Sequence, residues 1–271
     1  MLHQKIYLST EKNAYLLTYI HEHYRQDWED VGEWLPQKRP AIIILPGGGY
    51  SYCSEREGEP VAYPFLSAGY DVFILFYRTG EKSAWPAPLE DAARAIWTVR
   101  QHAEEWGIDP TKIAMGGFSA GGNLSSILGT QWHRGIEEQL SIPHGGSRPD
   151  ALVLAYALVE TNEHAPSNTK VGVLLRNRPD EMNSACHVDA HTPPSFIWHT
   201  LNDEKVPAKN ALLFAEKCLE HHVPFELHVF EQGQHGLSLN TDLTAYKLEH
   251  PVNVDLWVTC CINWLDQLFD F

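Results

Sequence analysis

Short apolar runs alternate with helix-compatible segments along most of the chain. The apolar runs cover residues 41–45, 70–77, 113–115, 151–156, 195–199 and 225–230. Continuous runs of this length are typical of strands that are buried on both faces of a sheet. The helix-compatible segments cover residues 59–68, 88–106, 208–221 and 252–268, and one more starts at residue 120. This alternation predicts an α/β fold, with a mostly parallel sheet and helices on both faces.

The beginning of the chain has a different pattern, in which apolar and polar residues alternate. The alternation covers residues 5–8 and 15–21, on either side of the polar pair Lys12-Asn13. Period-two alternation is typical of half-exposed strands, and a polar turn between two of them predicts an antiparallel pair. Together with the apolar runs, this pair predicts an eight-stranded sheet with an antiparallel N-terminal edge.

The length of the chain, 271 residues, fits a single α/β domain over residues 1–271. No internal repeat or low-complexity linker divides it. One segment, residues 157–192, has no clear period and holds many polar residues, including Asn, as well as Pro. Since long irregular segments in compact domains are commonly functional, we interpret it as a cap or active-site loop insertion.

Charge and composition narrow the classes of partner. The formal net charge of −15 repels phosphate backbones and anionic lipids, which argues against nucleic acid and membranes as partners. No run of about 18 apolar residues occurs, and the first residues lack the apolar core of a signal peptide, so we expect a cytoplasmic location. The five cysteines lack metal-ligand or redox spacing. Reduced thiols and the absence of a metal are therefore predicted.

A Gly-x-Ser-x-Gly pentapeptide at residues 117–121 is the strongest candidate for chemistry. An apolar run leads into it, and a helix-compatible segment starts at Ala120. A sharp turn between strand and helix would raise the hydroxyl of Ser119 above the carboxyl edge of the sheet, and the flanking glycines would avoid a clash. Taken alone, the pentapeptide also fits an ordinary glycine-rich turn, so its interpretation depends on the residues that accompany it.

Two residues late in the chain can complete a catalytic site around Ser119, because a serine nucleophile needs a base and a carboxylate that orients the base. Asp203 and His235 lie on the loops that follow the last two predicted strands. Each alone also fits a structural role, as a turn or N-cap aspartate and as an exposed loop histidine. Parallel strands bring their carboxyl ends to one edge, so the chain order Ser, Asp, His predicts a catalytic triad. Glu204 is the alternative for the acid.

Backbone amides near Ser119 can stabilise a negative charge on a substrate oxygen. A glycine turn at residues 47–49 directly follows a predicted strand. Without side chains this turn lets a substrate approach closely, and the amide of Ala120 lies at the start of a helix. We assign the oxyanion hole to Ala120 plus Gly48 or Gly49, although a simple tight turn also fits. The turn lacks the pattern of a phosphate loop or a dinucleotide fingerprint, so no cofactor is predicted.

Four motifs resemble those of a known superfamily of enzymes. They are Pro-Gly-Gly-Gly-Tyr at 46–50, Gly-Phe-Ser-Ala-Gly-Gly-Asn-Leu at 117–124, Asn-Asp-Glu-Lys-Val-Pro at 202–207 and Gly-Gln-His-Gly at 233–236. The chain resembles the α/β-hydrolase superfamily, and within it the small bacterial acetyl-xylan-esterase-like esterases, which are related to the hormone-sensitive-lipase and feruloyl-esterase-like families. Residues 56–62 and 193–200 resemble that group in particular. The resemblance implies an α/β-hydrolase fold and a carboxylesterase or deacetylase, with Ser119 as nucleophile, His235 as general base and acid, and Asp203 as orienting acid.

One position departs from the pattern of that group. The group commonly has His before Pro-Gly-Gly-Gly, where this chain has Leu45. Any hydrogen bond by which such a histidine braces the oxyanion loop must therefore be absent or replaced here. The departure concerns the rigidity of the oxyanion hole and leaves its backbone donors in place.

The predicted activity is hydrolysis of a short-chain carboxylic ester through an acyl-enzyme. Because the sequence has no large apolar cap, we expect small acyl groups such as acetyl, and the resemblance adds acetylated sugars as substrates. An amidase or peptidase would use the same triad. A non-catalytic binding protein with a hydrolase fold is the alternative from another class. The expected partner is a small-molecule ester, and a homodimer is one assembly that the sequence allows.

Overall fold

An eight-stranded sheet forms the centre of the chain in the computed structural model, which describes residues 1–22, 38–161, 180–244 and 253–271. Its strands are β1 (Lys5–Tyr7), β2 (Tyr15–Tyr19), β3 (Arg39–Leu45), β4 (Asp71–Phe76), β5 (Ile108–Phe118), β6 (Ala151–Ala155), β7 (Ser195–Thr200) and β8 (Phe225–Phe230). They lie in the order β1-β2-β4-β3-β5-β6-β7-β8. β2 pairs antiparallel with β1 and with β4, and the other neighbours are parallel. This arrangement confirms the predicted mostly parallel sheet with an antiparallel N-terminal edge.

Helices connect the strands in the described part of the chain. They are α1 (Glu59–Ser67), α2 (Ala87–Gln101), α3 (Ala103–Trp106), α4 (Ala120–Gln131), α5 (Glu137–Leu140), α6 (Lys209–Glu220) and α7 (Leu256–Phe269). The last helix starts later than the sequence pattern predicts, and residue 252 itself lies outside the described residues. Over the described ranges, every helix is too short or too polar to cross a membrane.

The helix predicted over residues 88–106 is divided in two at His102. The ring Nδ1 of His102 donates to the carbonyl oxygen of Thr98 at 2.8 Å, and its backbone leaves the helical region with φ −94° and ψ 7°. Gly107, in the left-handed region at φ 63°, ends the second piece, as the sequence predicts. A local side-chain hydrogen bond of this kind leaves no trace in the apolar spacing of a helix.

Both faces of the sheet are covered by apolar side chains. In β3, Ile43 and Leu45 belong to the cluster that includes residues of α2 and α4, whereas Ile42 and Ile44 belong to the cluster that includes residues of α1 and α7. Successive side chains of a strand point to opposite faces, so a strand that is covered on both sides needs an apolar residue at every position. This requirement explains the unbroken apolar runs of the sequence.

The two described ends of segment 157–192 pack on α4, and its middle, residues 162–179, lies outside the described residues. The side-chain Nδ2 of Asn123 donates to the carbonyl oxygens of Leu158 and Met182, at 2.7 and 3.1 Å. One buried amide group of α4 therefore ties both ends of the segment to the helix that follows Ser119. The interpretation of the segment as a cap stays a prediction.

Candidate active site

Ser119 lies at the turn between β5 and α4, in the strained backbone conformation that the pentapeptide predicts. Its φ and ψ are 53° and −114°, a region that non-glycine residues rarely adopt. A Cβ on Gly117 would lie 2.2 Å from the carbonyl oxygen of Gly121, and a Cβ on Gly121 would lie 2.1 Å from that of Leu45. Only glycine fits at these two positions, because strand and helix approach so closely.

The side chains of Asp203 and His235 meet Ser119 at the carboxyl edge of the sheet, one from the loop after β7 and the other from the loop after β8. His235 Nε2 lies 2.8 Å from Ser119 Oγ, and His235 Nδ1 lies 2.7 Å from Asp203 Oδ2. The Asp203 side chain is fully buried and that of His235 is 12% exposed. Glu204, the alternative acid, is exposed, and it is Asp203 that contacts the histidine ring. The structure thus brings together the three side chains that the sequence singles out.

The carboxyl group of Asp203 is held by several donors. Its Oδ1 accepts hydrogen bonds from the amides of Lys205 and Val206, both at 2.9 Å. His199 Nε2, at the end of β7, lies 3.3 Å from Oδ2. Burial alone would raise the pKa of Asp203, but the hydrogen bonds from His199 and His235 outweigh it and hold the pKa well below its ordinary value. Asp203 is therefore a carboxylate at neutral pH.

The glycine turn after β3 lies against Ser119. A Cβ on Gly47 would come within 3.1 Å of the Cβ of Ser119. Gly48 and Gly49 have positive φ values of 127° and 63°, and a Cβ on Gly48 would lie 2.1 Å from a carbonyl oxygen, so the turn requires glycine. Within the described ranges, the amides of Gly48, Gly49 and Ala120 donate no hydrogen bond to another residue. They remain available to a ligand.

Two buried side chains brace this turn at the position where Leu45 replaces the family's histidine. Leu45 itself is buried in the apolar core. Glu57 Oε2 accepts the amide hydrogen of Gly47 at 2.8 Å, and the hydroxyl of Tyr77 donates to the carbonyl oxygen of Pro46 at 2.8 Å. The turn is thus braced without a histidine at position 45. The sequence pattern around Glu57 and Tyr77 does not reveal this role.

The second carboxyl oxygen of Glu57 reaches the loop that carries His235. Glu57 Oε1 accepts the hydroxyl hydrogen of Tyr156 at 2.6 Å, and the same hydroxyl oxygen accepts the amide hydrogen of Ser238 at 3.0 Å. Burial, and after it the charge of Glu57, raises the pKa of Tyr156 well above its ordinary value. The phenol therefore stays protonated and donates to Glu57. The Tyr156 ring also packs edge-on against the ring of His235, with centroids 5.1 Å apart.

Within the described ranges, the structure contains neither a metal site nor a disulfide. No group of three or more His, Cys, Asp or Glu side chains among them is placed to hold a metal ion. The cysteines at positions 53, 186, 218, 260 and 261 are all free thiols. Burial raises the pKa of Cys53, which follows the glycine turn, to about 12. A thiol with this pKa is protonated at neutral pH and a poor nucleophile.

A comparison with known protein families identifies the family of this chain. The sequence profile of the BD-FAE family matches residues 34–218, a span that contains the glycine turn, Ser119 and Asp203. The chain belongs to the BD-FAE family. His235 lies beyond the matched span, so its place beside Ser119 is a finding of the structure.

Curated relatives of this BD-FAE chain include an endo-xylanase and an acetylxylan esterase. Endo-1,4-beta-xylanase B of Butyrivibrio fibrisolvens is 34% identical over 212 residues, which cover 76% of this chain and 33% of the relative. The chain spans about a third to a half of the length of the curated relatives that it matches.

Solved structures match the chain over nearly its whole length. The acetyl ester-xyloside bifunctional hydrolase of Caldicellulosiruptor lactoaceticus is 33% identical, with a TM-score of 0.81, and the match covers 98% of this chain and 97% of the other. A carboxylesterase of Lactobacillus plantarum is 25% identical, with a TM-score of 0.85 and 98% of both chains covered. These neighbours confirm the predicted α/β-hydrolase fold.

Proposed function

We propose that this chain is a serine carboxylesterase that removes short acyl groups, acetyl above all, from sugar esters. The contacts from Ser119 through His235 to Asp203, at 2.8 and 2.7 Å, carry the proposal. A carboxylate can only accept hydrogen bonds, so the proton of the His235 ring sits on Nδ1 and points to Asp203. Nε2 is then an acceptor beside the serine hydroxyl, as a general base must be.

In the first half of the proposed reaction, His235 Nε2 takes the proton of Ser119 while Oγ attacks the ester carbonyl carbon. The carbonyl oxygen becomes an oxyanion, which the amides of Ala120 and of Gly48 or Gly49 stabilise by hydrogen bonds. The C–O bond to the alcohol then breaks. The leaving alkoxide takes the proton from Nε2, and the acyl group remains as an ester of Ser119.

In the second half, water replaces the alcohol. His235 Nε2 takes a proton from the water, whose oxygen attacks the acyl carbon, and the oxyanion occupies the same amides. When the bond to Ser119 breaks, Nε2 returns the proton to Oγ and the carboxylic acid leaves. Through both halves Asp203 stays ionised and stabilises the protonated ring of His235, in agreement with its lowered pKa.

The substrate class is proposed from the relatives and from the sequence. A solved neighbour is named for an acetyl ester and a xyloside, which supports acetylated sugars of the xylose type as substrates of this chain. The sequence holds no large apolar cap for a long acyl chain. We assign the described ends of segment 157–192, which Asn123 ties to α4, a part in shaping the acyl and alcohol pockets.

The test is acetate release from acetylated xylo-oligosaccharides and from p-nitrophenyl acetate. In the Ser119→Ala variant we expect both rates to fall by more than about a thousandfold. Ser195→Ala is the matched control, because this buried serine lies at the opposite, amino-terminal end of its strand, where it bonds to Pro193. Full activity in the Ser119→Ala variant would overturn the proposal. Faster cleavage of an acetanilide than of the ester would point to an amidase.

Two further predictions of the sequence stay predictions. The chain is expected to work in the cytoplasm, and a homodimer is the assembly to test first. Size-exclusion chromatography with light scattering would measure the assembly directly.

A further inference from the structure

A buried carboxyl group joins the two loops that flank Ser119. Glu57 is 3% exposed and lies in the short turn Glu55–Glu57 before α1. One of its oxygens bonds to the amide of Gly47 in the glycine turn, and the other bonds to the hydroxyl of Tyr156. That hydroxyl in turn holds the amide of Ser238, three residues after His235. A continuous path of hydrogen bonds therefore links the proposed oxyanion hole to the loop of the proposed base.

The residue before Glu57 ties the same loop a second time. The Arg56 guanidinium donates to the carbonyl oxygens of Gly236, at 3.1 Å, and of Thr244. The main-chain carbonyl oxygen of Arg56 accepts the hydroxyl hydrogen of Ser238 at 2.7 Å. The Arg56-Glu57 dipeptide thus contacts the His235 loop through side chain and main chain, and the glycine turn through Glu57.

The hydrogen bond from the Gly47 amide to Glu57 helps to fix the neighbouring amide of Gly48, a proposed donor to the oxyanion. The peptide plane between Gly47 and Gly48 carries the amide of Gly48, and its carbonyl accepts the amide of Ser54 at 2.9 Å. Glu57 fixes the plane before it by accepting the Gly47 amide. With the bond from Tyr77 to Pro46, these contacts hold a turn of glycines that would otherwise sample many backbone conformations. Donors that are fixed in advance stabilise a developing charge best.

We propose that Glu57 is a positioning residue, which fixes the amides of Gly48 and Gly49 relative to His235. It does so through its bonds to Gly47 on one side and to Tyr156 on the other. The inference rests on the proposed function and deepens it. Glu57 touches neither the substrate nor the reacting atoms, and it acts by fixing the distance between the charge-stabilising donors and the proton acceptor.

The test is the Glu57→Gln variant, assayed with p-nitrophenyl acetate and with phenylboronic acid, which forms a tetrahedral adduct on a nucleophilic serine. A glutamine of the same size has one acceptor oxygen, so it cannot accept hydrogen bonds from both Gly47 and Tyr156. We expect kcat to fall about 10- to 100-fold while KM changes less than about threefold. The inhibition constant of phenylboronic acid should rise by the same factor as kcat/KM falls, because both report on tetrahedral geometry.

Glu137→Gln is the matched control for the loss of a buried carboxyl group. Glu137 is also 3% exposed, and its oxygens accept the amides of Gly145 and Ser147. This loop leads into the amino-terminal end of β6, opposite the carboxyl edge of the sheet where Ser119 lies. Both variants lose an acceptor for backbone amides. We expect the Glu137→Gln variant to lose thermal stability and to keep kcat and the inhibition constant within about twofold.

A folded Glu57→Gln protein with kcat and inhibition constant both within about twofold of the wild type would overturn the role of Glu57. If Glu57→Gln does not yield folded protein, Tyr156→Phe decides, since it removes only the hydroxyl that bridges Glu57 and Ser238. There we expect a loss in kcat of about 3- to 10-fold at constant KM, and an unchanged kcat overturns the inference. Full activity in Ser119→Ala would instead overturn the proposed function itself, so the two failures are distinguishable.

Discussion

His199 Nε2 lies 3.3 Å from Asp203 Oδ2, on the carboxyl oxygen that also contacts His235. The ring of His199 is fully buried, and the same Nε2 lies 2.8 Å from the carbonyl oxygen of Val206. Because both neighbours are acceptors, Nε2 carries the proton of this ring. Asp203 is thus held between two histidine rings, one in the core and one beside Ser119.

Replacing His199 should loosen the carboxylate of Asp203. His199→Phe keeps a planar ring and removes the N–H that faces Asp203 and Val206. Burial is then opposed by fewer hydrogen bonds, so the pKa of Asp203 should rise, and kcat/KM should fall about 10-fold as the ring of His235 loses its fixed partner. The pKa can be followed by titrating the carboxyl ¹³C resonance, and the rate with p-nitrophenyl acetate.

The control for this variant is His228→Phe. His228 lies on the adjacent strand β8, and its Nε2 also contacts a carboxylate, that of Glu226 at 2.6 Å. Since this pair is partly exposed and absent from the contacts around Ser119, activity should stay within about twofold. Equal losses in the two variants would mean that His199 has no particular effect on Asp203.

The lowered pKa of Asp203 also predicts how stability depends on pH. A carboxyl group whose pKa is lower in the folded than in the unfolded chain stabilises the fold fully above the unfolded value of about 3.9 and loses this contribution as pH falls through the folded value. Asp203→Asn lacks the titration. The wild type should therefore be more stable than the variant at pH 7, and the difference should shrink below about pH 4.

Urea unfolding at pH 7, 4 and 3 measures this difference for Asp203→Asn, and the same protein should have a kcat about 10³- to 10⁴-fold lower at pH 7, because the amide cannot hold His235 in the required tautomer. A stability difference that stays constant over this pH range would contradict the assigned pKa direction. A kcat near the wild-type value would contradict the role of Asp203.

The residues around Ser119 could be predicted because their signals are local. A glycine on each side of Ser119 reports the close approach of strand and helix, and Asp203 and His235 each follow an apolar run that the sequence marks as a strand. The sheet then brings these loops together, since the carboxyl ends of parallel strands share one edge. Local residue types plus chain order were sufficient for these positions.

The supporting residues could not be predicted in the same way. Glu57 and Tyr156 are 99 positions apart in the chain, and no sequence pattern predicts that they are in contact. A buried carboxyl group in a short polar turn looks like an exposed one until the packing is known. His199 lies inside an apolar run. The sequence shows its spacing from Asp203 but does not show which groups its ring nitrogens contact. Contacts of this kind depend on tertiary structure alone.

The backbone conformation of Ser119 predicts that activity and stability oppose each other there. At φ 53° and ψ −114° a side chain is strained, whereas glycine adopts this region readily. Ser119→Gly and Ser119→Ala both remove the nucleophile, but only glycine relieves the strain. We expect Ser119→Gly to be about 1 kcal/mol more stable than Ser119→Ala in urea unfolding. An alanine variant of equal or higher stability would mean that the turn is not strained.

Asn123 joins Tyr50, which follows the glycine turn, to segment 157–192, and its replacement by Asp separates its two kinds of hydrogen bond. Its Oδ1 accepts the hydroxyl hydrogen of Tyr50 at 2.8 Å, while Nδ2 donates to the carbonyl oxygens of Leu158 and Met182. An aspartate keeps the acceptor and sets a charged oxygen against two carbonyls in a buried site. We expect Asn123→Asp to lower the free energy of unfolding by about 2–4 kcal/mol at pH 7.

Asn210→Asp is the control, because the same exchange there loses one donor bond and keeps two acceptor bonds. Asn210 is equally buried, and its Oδ1 accepts the amides of Val159 and Glu160, which a carboxylate accepts as well. Its Nδ2 donates to a single carbonyl oxygen, that of Pro207 at 3.0 Å. The loss of stability in this variant should stay near about 1 kcal/mol.

Acid should also separate the Asn123→Asp and Asn210→Asp variants. When the carboxyl group introduced by Asn123→Asp is protonated, it can donate to a carbonyl oxygen again, so burial beside two carbonyls should raise its pKa in the folded chain. The resulting loss of stability is absent below the unfolded pKa of about 3.9, grows as pH rises from there to the folded pKa, and is complete above it. Urea unfolding of both variants at pH 3, 5 and 7 measures this dependence. Equal losses in the two variants at pH 7 would show that burial of the charge, and not the lost donors, dominates.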